Sequence, residues 1–149
     1  MRIDTNLTAT SLKTAAERVF ALAAPKSSDL DRSWDASRGA PVFTVEGQYT
    51  TRGWTEWTHG FQFGIPLLIF EATGQPEFLV LGRRRTLERM PIHLTHRGVH
   101  DHGFNIISTY GALLRLMLNG RIPHNEWERL AYETALKCSA AVQAMEWTS

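Results

Sequence analysis

The chain has 149 residues, 43% apolar and 21% charged, which is enough for one domain with a core and leaves little room for disorder. The formal charge is +1, and the only basic triplet, Arg83-Arg84-Arg85, falls in a helical pattern, so a solvated helix face is expected there and no nucleic-acid partner. The single cysteine, Cys138, excludes an intrachain disulfide, and no apolar run approaches the roughly 18 residues that cross a membrane. Met1 to Thr14 lacks the apolar core of a signal peptide, so a cytoplasmic location is expected.

Apolar residues recur at the helical period over five stretches. Over 12–24, Leu12, Ala15, Ala16, Val19, Phe20 and Ala23 predict a first helix capped by Thr10 or Ser11 and ended by Pro25. Residues 26–53 are rich in Ser, Asp, Gly and Thr and read as a long irregular loop, with room for one short strand over 41–49. A second helix is predicted over 58–73, closed by Gly74. Phe61, Ile65, Leu68, Ile69 and Ala72 form one apolar face, and Leu67 and Phe70 another, so burial on most sides is expected, with Pro66 as a kink or the true start.

Pro76 opens a third, amphipathic helix to about His93, with Phe78, Leu79, Gly82, Thr86 and Met90 inward. A fourth is predicted over 105–118, with Ile106, Tyr110, Leu113, Leu114 and Met117 as its stripe, stopped by Gly120. A fifth runs from about Asn125 to Ala144. Trp127, Leu130, Ala131, Ala135, Cys138, Ala141 and Met145 are predicted to face the core, with Glu126, Glu128, Arg129 and Lys137 in water.

His59-Gly60-Phe61 recurs 43 residues later as His102-Gly103-Phe104. Each copy precedes a broadly apolar helix, a Gly turn and an amphipathic helix, the pattern of stacked helical hairpins with an inner and an outer layer. Equivalent ends of stacked hairpins are neighbours, so Trp57 and His59 are expected beside His100, Asp101 and His102. These residues precede inner-helix N-termini, which favour anions. An aromatic platform, a carboxylate and imidazoles there suit a carboxylated sugar. Simpler roles compete: Asp101 as the cap of the fourth helix, a role Asn105 also fits, and Trp57 as core packing. His93, His96, His100 and His102 suggest a metal site, but no Cys or second carboxylate joins them at ligand spacing, so no metal or other cofactor is expected. Ser108 lies mid-helix and Cys138 reads as a small buried residue, which gives nucleophilic catalysis no support.

Trp57-Thr58-His59-Gly60-Phe61, the Glu71-Ala72-Thr73-Gly74 turn and His100-Asp101-His102-Gly103-Phe104 together resemble glycoside hydrolase family 88, the unsaturated glucuronyl hydrolases, and the similar family 105, the unsaturated rhamnogalacturonyl hydrolases. The resemblance covers about residues 54 to 147. It implies an all-α chain whose hairpins form part of an (α/α)6 toroid. It also implies hydration of a 4,5-unsaturated uronic acid, releasing it from an acidic oligosaccharide. On this resemblance Asp101 is a catalytic acid/base, Trp57 a wall of the sugar subsite and His100 a substrate contact, with His59 and His102 beside them.

A helix N-terminus stabilises a carboxylate, so an acid placed there needs burial or a second carboxylate to act. The family has a second aspartate on a later hairpin, and this chain has no Asp after Asp101. Residues 1–149 are therefore expected to be a single domain corresponding to the N-terminal part of such a toroid, inactive alone. Apolar helix faces left uncovered would favour self-association. The alternatives are a non-catalytic helical-repeat binding module, or another toroid enzyme such as an epimerase or lyase.

Overall fold

The computed structural model describes residues 6–52 and 56–147; Trp54 lies outside the described residues. The chain is mostly helical, and its only described sheet is a hairpin of two three-residue strands, which makes the class all-α. The order is α1 (Ala9–Ser33), β1 (Phe43–Val45), β2 (Gln48–Thr50), α2 (His59–Thr73) and α3 (Pro76–Arg89). A π-helical segment, Gly103–Gly111, then runs directly into α4 (Ala112–Leu118), and α5 (Glu126–Met145) follows. No helix of the described residues is long and apolar enough to cross a membrane.

The first helix departs from expectation at both ends. It starts earlier, at a capping box in which Thr8 and Ser11 each accept from the other's backbone N–H. It also runs through Pro25 to Ser33. Proline removes one helical hydrogen bond, yet tertiary contacts hold the following turns. Asp31 binds Arg84 (3.2 Å) and Arg85 (2.5 Å) of α3, while Ala24 enters the core. The segment 26–53 is therefore not one long loop. It holds two turns of α1, a 3₁₀ turn at Ala36–Arg38 and the β1–β2 hairpin, whose tight turn uses positive φ at Glu46 and Gly47.

The two hairpins α2–α3 and π/α4–α5 form the body. Gly74, in the left-handed conformation, closes α2, and Pro76 opens α3. Phe78, Gly82, Thr86 and Met90 of α3 are buried as their periodicity predicts, and a Cβ at Gly82 would meet the Leu67 side chain of α2 at 2.6 Å. Leu67, Ile69, Met90, Ile106, Leu113 and Leu116 form the centre of the core. The basic triplet is partly internal: Arg84 and Arg85 bind α1, and Arg83 reaches Glu128 of α5 at 3.6 Å.

Three helix faces differ from the sequence pattern. On α2, Phe63, Leu67, Ile69 and Phe70 are buried, but of the predicted stripe only Ile69 is among them, and Phe61, Ile65, Leu68 and Ala72 are exposed. On α5, Tyr132, Ala135 and Ser139 face the core, while Trp127 is 83% exposed and Met145 72%. That rotation is set by the Tyr132 ring against Tyr110, by Ser139 bonding His102, and by Arg83 holding Glu128. On α1, Leu12 and Val19 are exposed, and only Phe20, Ala23 and Ala24 of its apolar side pack on the core. The fourth helix is π-helical in its first half. There Thr109 Oγ1 donates to the Asn105 carbonyl (2.5 Å), occupying the acceptor that an α-helix reserves for the Thr109 N–H.

Candidate functional site

Both His-Gly-Phe copies open inner helices at the same end of the molecule, and they interlock. Gly60 lies so close to the π-helix that a Cβ would overlap the Phe104 carbonyl and sit 2.5 Å from Asn105 Cα. Four residues on, a Cβ at Gly64 would be 2.5 Å from the Ser108 carbonyl oxygen. Glycine at both positions lets the two backbones touch. The contact is fixed by one buried hydrogen bond, in which the Gly60 N–H donates to Asn105 Oδ1 at 2.9 Å. Asn105 thus caps α2, one hairpin away, in place of its own helix. Neither Asp101 nor Asn105 caps the π-helix, which has no side-chain cap bond.

This interlock places Trp57, His100 and Asp101 around one cavity of about 500 Å3. Glu56, His93 and His96 line it too, and Phe104 and Asn105 complete its wall. The Asp101 side chain is only 18% exposed, whereas the His100 imidazole stands at the mouth, its Nε2 3.6 Å from Asp101 Oδ1. Trp57 packs against Phe61 and Phe104 with ring centroids 6.1 and 5.8 Å away, so it is both an aromatic wall and a packed side chain. The loop that carries His96 to Asp101 is tied down by α5. Gln143 Nε2 donates to the Val99 carbonyl (2.9 Å), and Glu146 Oε1 accepts from the Gly98 N–H (2.6 Å), which turns at positive φ.

Two of the expected contact residues lie elsewhere. His102 is buried and does not line the cavity; its ring faces α5. Its Nε2–H donates to the His96 carbonyl (2.6 Å), which leaves Nδ1 to accept from the Ser139 hydroxyl (2.7 Å). Both ring nitrogens are occupied, so His102 is a strut beneath the loop. His59 lies one layer behind the cavity, stacked on Phe63 and hydrogen-bonded through Nδ1 to His93 Nε2 at 3.1 Å. Burial lowers the pKa of His59, and burial together with the neighbouring His59 brings His93 down from the ordinary 6.5 to about 4. Both rings are neutral at pH 7, and one donates to the other.

Glu56, His93, His96 and Asn105 are the residues that the repeat did not single out. Glu56 precedes the Trp57 motif and brings a second carboxylate to the cavity that holds Asp101. The only available signal was its position one residue before Trp57. No group of three or more His, Cys, Asp or Glu side chains among the described residues is arranged to hold a metal ion. Cys138 is half-buried against the Leu94 carbonyl. The arrangement brings two acidic residues, three histidines and an aromatic wall to one cavity. It thus defines a class, an all-α protein of paired helical hairpins with an acid-bearing cavity where the repeated motifs meet. Comparison with known proteins finds no matching family, curated protein or solved structure.

Proposed function

We propose that the cavity is a carbohydrate site of the unsaturated uronyl hydrolase type, and that the paired hairpins follow the inner and outer order of an (α/α)6 toroid. The observation that carries this reading is the meeting of Trp57, His100 and Asp101 on one cavity with a second carboxylate, Glu56. A sugar ring stacks on Trp57, and His100 at the mouth contacts its polar edge. Among the described residues the cavity lining holds no Lys or Arg. An anionic group on the ligand is therefore met by imidazoles and by the N-terminal end of the π-helix.

The chemistry requires one proton donor and one acceptor. Asp101 delivers its proton to the alkene carbon of a 4,5-unsaturated uronic acid. Water adds to the neighbouring carbon, and Glu56 takes the proton that this water releases. The hemiketal so formed opens and the glycosidic link is lost. Acid/base groups in such roles are worth about 10²–10⁴-fold in rate.

The test follows the absorbance of the conjugated alkene in an unsaturated uronyl disaccharide mixed with the purified chain. Because Glu56 stands where the sequence pattern offered no second acid, the chain by itself is expected to consume the alkene, contrary to the inactivity expected from the sequence, and to do so at least about a hundredfold more slowly in Asp101→Asn and in Glu56→Gln. A wild-type chain that leaves the alkene intact overturns the catalytic reading. Equal rates in wild type and Asp101→Asn remove Asp101 from the chemistry.

A further inference from the structure

Asn105 lines the cavity and is only 5% exposed, and all but one of its polar groups have a partner in the protein. Its backbone N–H donates to the Asp101 carbonyl (3.3 Å), and its own carbonyl accepts from the Thr109 hydroxyl (2.5 Å). Its Oδ1 accepts from the Gly60 N–H (2.9 Å). A backbone N–H can only donate, so this bond fixes the amide with its oxygen toward α2 and its NH2 turned away. Nδ2 has two hydrogens to donate and bonds no acceptor among the described residues. Nor is it sealed off. The described side-chain atoms that are both sealed and unpartnered are Gln62 Oε1, Arg83 Nε and Thr86 Oγ1, and Asn105 Nδ2 is not one of them. The NH2 group therefore opens onto the cavity that Asn105 borders.

This donor stands close to the acid. The backbone bond from Asn105 to Asp101 puts the two side chains one helical turn apart on one face, with Cβ atoms ~5–6 Å apart. Both residues line the cavity. In a 4,5-unsaturated uronic acid the carboxyl group is bonded to one alkene carbon, and the other alkene carbon takes the proton. A carboxylate oxygen held at Asn105 Nδ2 thus leaves the alkene within reach of Asp101. No Lys or Arg of the described residues lines the cavity, so the carboxylate depends on neutral donors, and hydrogen bonds to an ionised group are the stronger kind. Asn105 is the third residue of the π-helix, at the end where the helix dipole favours negative charge.

We infer that Asn105 is a ligand-binding residue whose Nδ2 donates to a carboxylate oxygen of the uronic acid while its Oδ1 stays on the Gly60 N–H. The inference rests on the reading of the cavity as a uronate site, and it names the side chain that selects an acidic sugar over a neutral one. The same amide thus joins the two hairpins through its oxygen and holds the ligand through its nitrogen.

The experiment titrates the intact chain with a saturated uronyl disaccharide, which lacks the alkene and is bound without being consumed, and with its carboxyl-reduced counterpart. Binding is followed by calorimetry and by nitrogen-edited NMR of the side-chain amides. Asn105→Asp keeps the shape and an oxygen for the Gly60 N–H, and replaces the NH2 by a second oxygen. It is expected to lower the affinity for the uronyl sugar at least about tenfold, the worth of one hydrogen bond to a charged group, and to change that for the reduced sugar less than about threefold. In the wild type, which needs no variant to fold, the Asn105 amide signals are expected to shift with the uronyl sugar and to move little with the reduced one. Undiminished uronyl affinity in Asn105→Asp, an equal loss for both sugars, or Asn105 amide signals that stay in place while the uronyl sugar binds overturns this inference and leaves the uronate reading standing. A wild-type chain that binds neither sugar overturns both.

Discussion

Alanine at the two repeat glycines, Gly60 and Gly103, is expected to act in opposite directions, although the two positions are identical in motif. In a helix interior, Gly to Ala is normally worth up to about 1 kcal/mol of added stability, because glycine has more backbone entropy to lose. At Gly103 the new Cβ meets only Ile107 Cδ1 at 3.9 Å, an ordinary contact, so Gly103→Ala should be neutral or stabilising. At Gly60 the Cβ overlaps the Phe104 carbonyl and approaches Asn105 Cα to 2.5 Å, and both obstacles are backbone. The π-helix must move away. Overpacking of this kind costs about 1–3 kcal/mol. Moving Asn105 off the Gly60 N–H strands two buried polar groups, which adds about 1–3 kcal/mol. Set against the helix-propensity gain, the net loss is about 3 kcal/mol, or roughly 6–12 °C in Tm for a chain of this length. Calorimetry or urea unfolding of both variants measures it. A Gly60→Ala protein melting within about 2 °C of wild type would refute the close approach of α2 and the π-helix.

Asn105→Leu should destabilise by about 1–3 kcal/mol in urea unfolding, because the buried Gly60 N–H loses its acceptor; an unchanged midpoint would show that water replaces it. Stability should also depend on His93, whose pKa is held near 4 in the folded chain against an ordinary 6.5. The unfolded chain then binds the proton more readily, so the contribution is complete above about pH 6.5 and is lost as pH falls from there to about 4. Water at the cavity mouth screens part of the effect, leaving a fall of about 2 kcal/mol over that window. His93→Gln should flatten this slope in urea unfolding curves collected between those pH values. Pro25→Ala restores a helical N–H in the middle of α1 and should raise stability by about 1–2 kcal/mol; a lower urea midpoint would mean that the proline stiffens the unfolded chain by more than it costs the helix.

Much of the chain's local structure is legible in the sequence because it depends on near neighbours. Gly74 and Pro76 mark the α2–α3 turn, Asn125 caps α5, and the 3.6-residue period of Phe78, Gly82, Thr86 and Met90 marks the buried face of α3. The repeated His-Gly-Phe motif likewise carries the information that two helix starts lie side by side, and with it the meeting of Trp57, His100 and Asp101. Only the tertiary structure decides what the same letters do in each copy. His59 pairs with His93 behind the cavity while His102 braces the loop from below, because different helices stand behind them. Gly60 is pressed against backbone while Gly103 is open. Periodicity identifies an apolar face but not its neighbour, which is why most of the predicted stripes of α2 and α5 point outward while Ile69 and Ala135 are buried. Pro25 reads as a stop, yet ion pairs from Asp31 to α3, more than fifty residues away, carry the helix past it. Glu56 reaches the cavity through the packing of two hairpins, a long-range contact that no local spacing encodes.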